Sequence, residues 1–204
     1  CTSSSARKAF EWASAQNKKI FFFPDENLGR NTARDFGISE AETLLWDSYL
    51  NMSAFAGNSI LEKRLIVWKG HCHVHTFFTV EHVEAVRREH EGCKVIVHPE
   101  CSPSVVMAAD GAGSTAYLKE FVEAAPSGSS IVIGTEINMV SRLAKGHPDK
   151  KIIPLARSLC PNMMKIGLDD LLMTLDRLGD VNEVIVHEDV SKYAKLALER
   201  MLQL

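Results

Sequence analysis

The sequence predicts an α/β protein built on parallel sheets. Short apolar runs, Leu65-Ile66-Val67-Trp68 and Val95-Ile96-Val97 among them, read as strands buried on both faces. Amphipathic stretches with apolar residues three or four apart separate these runs, which is the signature of repeated strand–helix–strand units. Nearly every run also ends in a polar cluster, whereas the connections entering the runs, such as Gln16-Asn17-Lys18 and Gly146-His147-Pro148, are plain turns. In open parallel sheets the carboxyl ends of the strands are where ligands bind.

The elements follow in order. Cys1-Thr2-Ser3-Ser4-Ser5 offers hydroxyls for a helix start, and Ala6, Phe10, Trp12 and Ala13 mark an amphipathic helix to about Ala15. The same hydroxyls and amides suit an anion. Lys19 to Phe23 is a strand that ends in a polar loop, Pro24-Asp25-Glu26-Asn27-Leu28-Gly29. From Phe36 to about Lys63 the periodicity is broken by Gly37, Ser39, Asn51, Gly57 and Asn58, so a short helix and a long surface excursion are expected. Strand Leu65–Trp68, helix Val80–His90, strand Lys94–Val97 and a helix near Pro103–Ala109 come next, the proline just inside that helix's start. A glycine-rich turn from Gly111 to Thr115 opens a helix that reaches about Ala125. Strand Ser130–Ile133, helix Met139–Lys145 and strand Lys151–Ile153 complete the alternation. Helices Leu168–Leu178 and Val190–Leu204 close the chain, with a short strand expected at Glu183–Val186.

Composition narrows the function. The 204 residues are 46% hydrophobic and 24% charged, with a formal net charge of -3. That balance offers no basic face to nucleic acid and no electrostatic attraction to a membrane surface. No apolar run approaches membrane-spanning length, and no secretory pattern opens the sequence. Five widely spaced cysteines suit reduced thiols in the cytoplasm, free for metal binding or catalysis. No Gly-x-Gly-x-x-Gly follows a strand and no Gly-Lys-Ser/Thr occurs, so dinucleotide and nucleotide-triphosphate binding of those kinds find no support.

Two clusters carry the chemistry: His71-Cys72-His73-Val74-His75 after one strand and His98-Pro99-Glu100-Cys101 after another. Imidazole, thiol and carboxylate at strand ends point to a metal or proton-transfer site. In an extended strand His71, His73 and His75 would share one face and could bind zinc, although the close Cys-x-x-Cys spacing of many zinc sites is absent. Two alternatives stay open on the residues alone. One is a zinc hydrolase with His73, His75 and His98 as ligands and Glu100 as base. The other is a phosphometabolite-binding α/β module that uses Gly113-Ser114-Thr115 at a helix start. Cys93 reads as structural, and Cys72 and Cys160 taken singly also suit small buried apolar positions.

Seven segments in order resemble the quinolinate synthase family, the iron–sulfur enzymes of de novo NAD biosynthesis. They are Cys1-Thr2-Ser3-Ser4, Pro24-Asp25-Glu26-Asn27-Leu28-Gly29-Arg30, Trp68-Lys69-Gly70-His71-Cys72-His73-Val74-His75, His98-Pro99-Glu100-Cys101, Gly113-Ser114-Thr115, Gly134-Thr135-Glu136 and Cys160-Pro161-Asn162-Met163. The resemblance implies three similar three-layer α/β domains around a pseudo-threefold axis, with a 4Fe–4S cluster at the centre. It implies condensation of iminoaspartate with dihydroxyacetone phosphate to quinolinate, phosphate and water. One cysteine per domain would hold the cluster, leaving one iron as a Lewis acid. Cys72 and Cys160 match two of those ligands, whereas Cys101 matches a position that does not ligate. His98 and Glu100 match proton-transfer residues and His75 lies near the site. Ser3, Ser114 and Thr115 match groups that bind substrate carboxylate or phosphate, and Asn27 is placed with them on the substrate side.

The resemblance also implies what is missing. The family's third cluster cysteine, a substrate-binding His and Tyr and a Tyr-x-Asn motif all lie upstream of Cys-Thr-Ser-Ser, so Cys1 is not promoted to ligand. Residues 1–75 would be most of the second domain, 76–159 the third, and 160–204 a tail that completes a first domain whose main part is absent. The chain is thus expected to be a C-terminal fragment, inactive alone and apt to expose apolar surface. The segment from Asp35 to Lys63 is longer than in compact family members. L-aspartate oxidase, as the supplier of iminoaspartate, is the expected functional neighbour.

Overall fold

The computed structural model describes residues 2–49 and 59–203. Cys1 and residues 50–58 of the long excursion lie outside the described residues. The chain divides into two compact units, Cys1–Leu159 and Cys160–Leu204.

In the first unit, helix α1 (Ala6–Ala15) buries Ala6, Phe10 and Ala13, which fall on one face at helical spacing. Ser5 stands at its N-cap position without a side-chain cap bond, so the expected serine cap is not made. Strand β1 (Ile20–Phe22) follows, and the chain then turns directly into helix α2 (Glu26–Asp35). The polar stretch read as a loop through Gly29 is thus mostly helix. Asp25 is the reason: its carboxylate accepts the Leu28 amide at 2.8 Å and starts the helix. The irregular segment after α2 holds a 3-10 turn (Glu40–Glu42), a strand not anticipated from the sequence, β2 (Thr43–Trp46), and a short helix, α3 (Ser59–Glu62). Strand β3 (Leu65–Trp68) lies between the other two in a parallel sheet of order β1-β3-β2. Ile20 and Thr43 both register with Leu65. Phe10 from α1 and Leu28 from α2 close over Phe22, Leu65 and Val67 on one face of this sheet.

Helix α4 (His73–Thr76) and helix α5 (Val80–Glu89) lead to a second parallel sheet. Its strands are β4 (Lys94–Val97), β5 (Gly111–Ala112), β6 (Ser130–Gly134) and β7 (Lys151–Pro154), in the order β5-β4-β6-β7. The turn expected from Gly111 to Thr115 thus begins as an edge strand. Helix α6 (Pro103–Ala108) lies between β4 and β5 in sequence, α7 (Thr115–Ala124) between β5 and β6, and α8 (Ile137–Gly146) between β6 and β7. Side-chain alternation along β4 sends Val95 and Val97 into a core with Phe78, Val83 of α5 and Val105 of α6. Ile96 points the other way, into a core with Leu118 of α7 and Val140 of α8. This second sheet is therefore a three-layer unit, and its strands read as continuous apolar runs because both faces are covered.

The second unit contains a 3-10 turn (Met163–Lys165) and helices α9 (Leu168–Asp176) and α10 (Glu188–Leu202). The strand expected at Glu183–Val186 is not formed; those residues are irregular, and Leu178 makes only an isolated bridge with Val181. Four residues with no neighbouring strand have nothing to pair with. Among the described residues no helix is long and apolar enough to cross a membrane.

Candidate active site at the strand ends

Two strand ends meet through the loop after β1. The Gly70 carbonyl, past the end of β3, accepts the Glu26 amide at 2.9 Å. Two residues on, the Cys72 amide donates to Asp25 Oδ2 at 2.9 Å, while Asp25 Oδ1 caps α2. Asp25 therefore ties the cysteine loop to the start of α2, and burial of its carboxyl raises its pKa. Cys72 is the N-cap of α4, and its carbonyl accepts the amides of His75 and Thr76. This turn overturns the extended reading of the histidine run. His75 faces inward and is buried, whereas His73 is exposed, so the two do not share a face.

The second cluster is fixed just as firmly. The His98 amide extends the sheet by donating to the Gly134 carbonyl at 3.0 Å. Asn31 of α2 donates its Nδ2 to the carbonyls of Pro99 at 2.8 Å and Cys101 at 2.9 Å, clamping the backbone on both sides of Glu100. The Glu100 amide donates to His98 Nδ1 at 3.3 Å, so neutral His98 carries its proton on Nε2.

The side chains converge. His75 Nδ1 stands 2.9 Å from Glu100 Oε2, and His75 Nε2 stands 3.2 Å from the buried Thr135 hydroxyl. The His75 and His98 rings stack with centroids 4.1 Å apart and planes 13° from parallel. Burial, with the neighbouring His75 adding to it, pushes His98 down to about 4, against the opposing pull of Glu100. The hydrogen bond from His75 keeps the Glu100 carboxyl below its usual range in spite of burial. At neutral pH the site therefore holds an ionised carboxylate beside a neutral imidazole. Burial raises the Cys72 thiol. Donor atoms of Cys72, His75 and Glu100 lie within 4.8 Å of one another.

Other expected site residues are placed less closely. Ser3 lines a cleft of about 430 Å³ with Asn31, Pro99, Gly111 and Gly113. Ser114 caps α7 by accepting the Tyr117 amide at 3.3 Å, and Thr115 is exposed in the first turn of that helix. Asn27 is buried in the first turn of α2. Cys160 is a free, half-buried thiol at the start of the second unit. Cys93 and Cys101 are buried, and burial pushes the Cys101 thiol up to about 12, which suits a packing role. The zinc set His73, His75 and His98 is not brought together. The donors that converge among the described residues are Cys72, His75 and Glu100 instead.

Asp25, Asn31 and Thr135 are the supporting residues that sequence reasoning left without a role. Asp25 alone carried a usable mark, an acidic residue ahead of Glu26 in the position of a helix cap.

Comparisons with known proteins identify the family. The family model described as Quinolinate synthetase A protein matches residues 1–203. A quinolinate synthase of Geobacillus sp. (strain WCH70) is 49% identical over 208 residues, covering 100% of this chain and 56% of the relative. That of Anoxybacillus flavithermus (strain DSM 21510 / WK1) is 47% identical over 206 residues, covering 98% of this chain and 56% of the relative. The quinolinate synthase of Bacillus cereus (strain AH187) is 44% identical over 207 residues, with 99% of this chain and 56% of the relative covered. The chain thus spans about half the length of the curated relatives it matches. On this agreement of sequence, strand-end site and relatives, the chain belongs to the quinolinate synthetase A family.

Proposed function

We propose that this chain supplies two domains and a tail of a cytoplasmic quinolinate synthase of NAD biosynthesis. The enzyme condenses iminoaspartate with dihydroxyacetone phosphate to quinolinate, phosphate and water. The observation that carries this reading is the convergence of Cys72, His75 and Glu100, with His98 stacked on His75, at strand ends in a chain of this family. Residues 1–75 hold the β1-β3-β2 sheet and 76–159 the β5-β4-β6-β7 sheet, which supports a second and a third domain. Residues 160–204 then complete a first domain around the pseudo-threefold axis. L-aspartate oxidase is the natural supplier of iminoaspartate.

The residues present suit an iron–sulfur cluster: Cys72 and Cys160 are unpaired thiols of intermediate exposure, unlike the sealed Cys93 and Cys101. When bound, the cluster supplies a Lewis-acidic iron to a substrate oxygen or nitrogen. The remaining chemistry falls to the chain itself. Glu100, held ionised, is the proton acceptor. Neutral His98 presents Nε2–H to a substrate oxygen. His75 orients the Glu100 carboxylate from Nδ1, and Thr135 orients His75 from the other side. Ser3, Asn27, Ser114 and Thr115 bind substrate carboxylate and phosphate oxygens.

The test is an anaerobic visible spectrum with iron and sulfide analysis on a chain extended to the length of its relatives. About four irons and a broad thiolate–iron band are expected. Cys72→Ser and Cys160→Ser should each abolish both cluster and turnover, while Cys101→Ser keeps the cluster. Retention of the cluster without Cys72 or Cys160 would sink the ligand assignment.

A further inference from the structure

We propose that Cys72, His75 and Glu100 also form a mononuclear site for a divalent cation of the zinc class, independent of Cys160. The argument begins with the donors. Thiol, imidazole and carboxylate are the ligand types that borderline cations such as Zn²⁺ and Co²⁺ accept together, commonly as three protein ligands with a fourth position open. Their atoms lie within 4.8 Å of one another. Tetrahedral coordination at ordinary zinc distances needs separations of about 3.5 Å, a movement of about 1 Å by flexible side-chain ends. His75 Nδ1 and Glu100 Oε2 are already 2.9 Å apart, so a cation would replace the proton they share and open the pair slightly.

Each donor is also held from behind, as metal ligands are. The Thr135 hydroxyl lies 3.2 Å from His75 Nε2, where it accepts the Nε2–H of an imidazole that binds metal through Nδ1. The Cys72 amide is tied to Asp25 at 2.9 Å. The Pro99 and Cys101 carbonyls on either side of Glu100 are clamped by Asn31 at 2.8 and 2.9 Å. This arrangement is built entirely within the first unit. Because Cys72 is common to both, a divalent cation here excludes the proposed cluster. The cluster and the divalent cation therefore compete for Cys72.

Cobalt(II) titration of the reduced, anaerobic 204-residue chain tests this. One equivalent of Co²⁺ should produce a near-ultraviolet thiolate charge-transfer band with visible absorption of a low-coordinate ion, and Zn²⁺ should displace it. Cys72→Ser should lose the charge-transfer band, and Glu100→Gln and His75→Gln should weaken binding. Thr135→Val, which touches no metal, should weaken it about 10–100-fold, and Thr135→Ser should restore it. Cys160→Ser should change nothing, with circular dichroism confirming that each variant is folded. No thiolate band, a band that survives Cys72→Ser, or a band lost in Cys160→Ser would each overturn the site. Iron and sulfide uptake by the extended chain together with no cobalt band in the 204-residue chain overturns this proposal alone. A chain that binds cobalt through Cys72 and never takes up a cluster overturns the cluster reading alone.

Discussion

Asp25 shows how much one buried side chain can organise. One carboxylate oxygen starts α2 and the other holds the Cys72 amide, so the helix that carries Asn31 and the loop that carries the cysteine are set by the same residue. Such residues are hard to find in a sequence because their partners are distant: Asp25 and Cys72 are 47 positions apart, Asn31 and Cys101 are 70. Cys72, His75, His98 and Glu100 stand out in the sequence for the opposite reason, since they sit in two short clusters that come soon after apolar runs. A carboxylate held by local contacts gives a contrasting test. Glu42 accepts the Ser39 amide at 3.0 Å and is lowered to about 2, chiefly by that backbone bond and then by the Ser39 hydroxyl and Arg64. A carboxyl lowered in the folded state contributes stability that is complete above its unfolded value near 4.5 and is lost as pH falls through about 2. Denaturation midpoints followed between those limits should therefore decline with acid, and Glu42→Gln should remove part of that decline. An unchanged acid limb in Glu42→Gln would refute the assignment.

At the scale of elements, most of the strands were legible, whereas the edge strands β2 and β5 and the helices α2 and α4 were not. Lys94–Val97 and Ser130–Gly134 announce themselves because parallel strands covered on both faces have apolar interiors, and Leu65–Trp68 is equally apolar although its positions alternate between buried and half-buried. Thr43-Leu44-Leu45-Trp46 is an edge strand, half-buried along its length, and sits in a segment whose glycines and asparagines hide any period. Helix α2 was missed because Asn27, Gly29, Asn31 and Thr32 are poor helix formers. Packing explains them. A Cβ added at Gly29 would stand 2.8 Å from Val67 Cγ1 and 2.9 Å from Phe22 Cδ1, so the glycine lets α2 settle directly onto β1 and β3. Alanine would gain about 1 kcal/mol of helix propensity. It would lose about 1–3 kcal/mol to overpacking against a ring and a branched side chain, neither of which can swing away. The second effect wins. Gly29→Ala should lower stability in chemical denaturation, and because α2 positions both Cys72 and Glu100, it should also weaken cobalt binding. A more stable Gly29→Ala would show that α2 has room to shift.

At the scale of the whole molecule, the second unit poses a simple energetic problem. Helices α9 and α10 bury no residue, although both are amphipathic. Ile166 is 75% exposed, Leu168 85% and Ile185 87%, with Leu172, Leu175 and Leu178 exposed as well. Each leucine-sized side chain left in water forgoes about 1.5–3 kcal/mol of burial, so several together amount to a surface that water does not favour. The relatives are longer, this chain covering 56% of each of the three compared, and a first domain built around residues 160–204 is the proposed cover. The 204-residue chain should therefore bind the dye anilinonaphthalene sulfonate strongly and self-associate as its concentration rises. A chain of the relatives' full length should do neither. Hydrogen exchange locates the effect: amides of α9 and α10 should exchange fast in the short chain and slowly in the long one, while β4 and β6 are protected in both. Equal dye binding by the two chains, or slow exchange in α9 and α10 of the short chain, would mean that these helices find their packing without the additional domain. The tail would then be an independent unit, and the assignment of residues 160–204 to a shared first domain would fall with it.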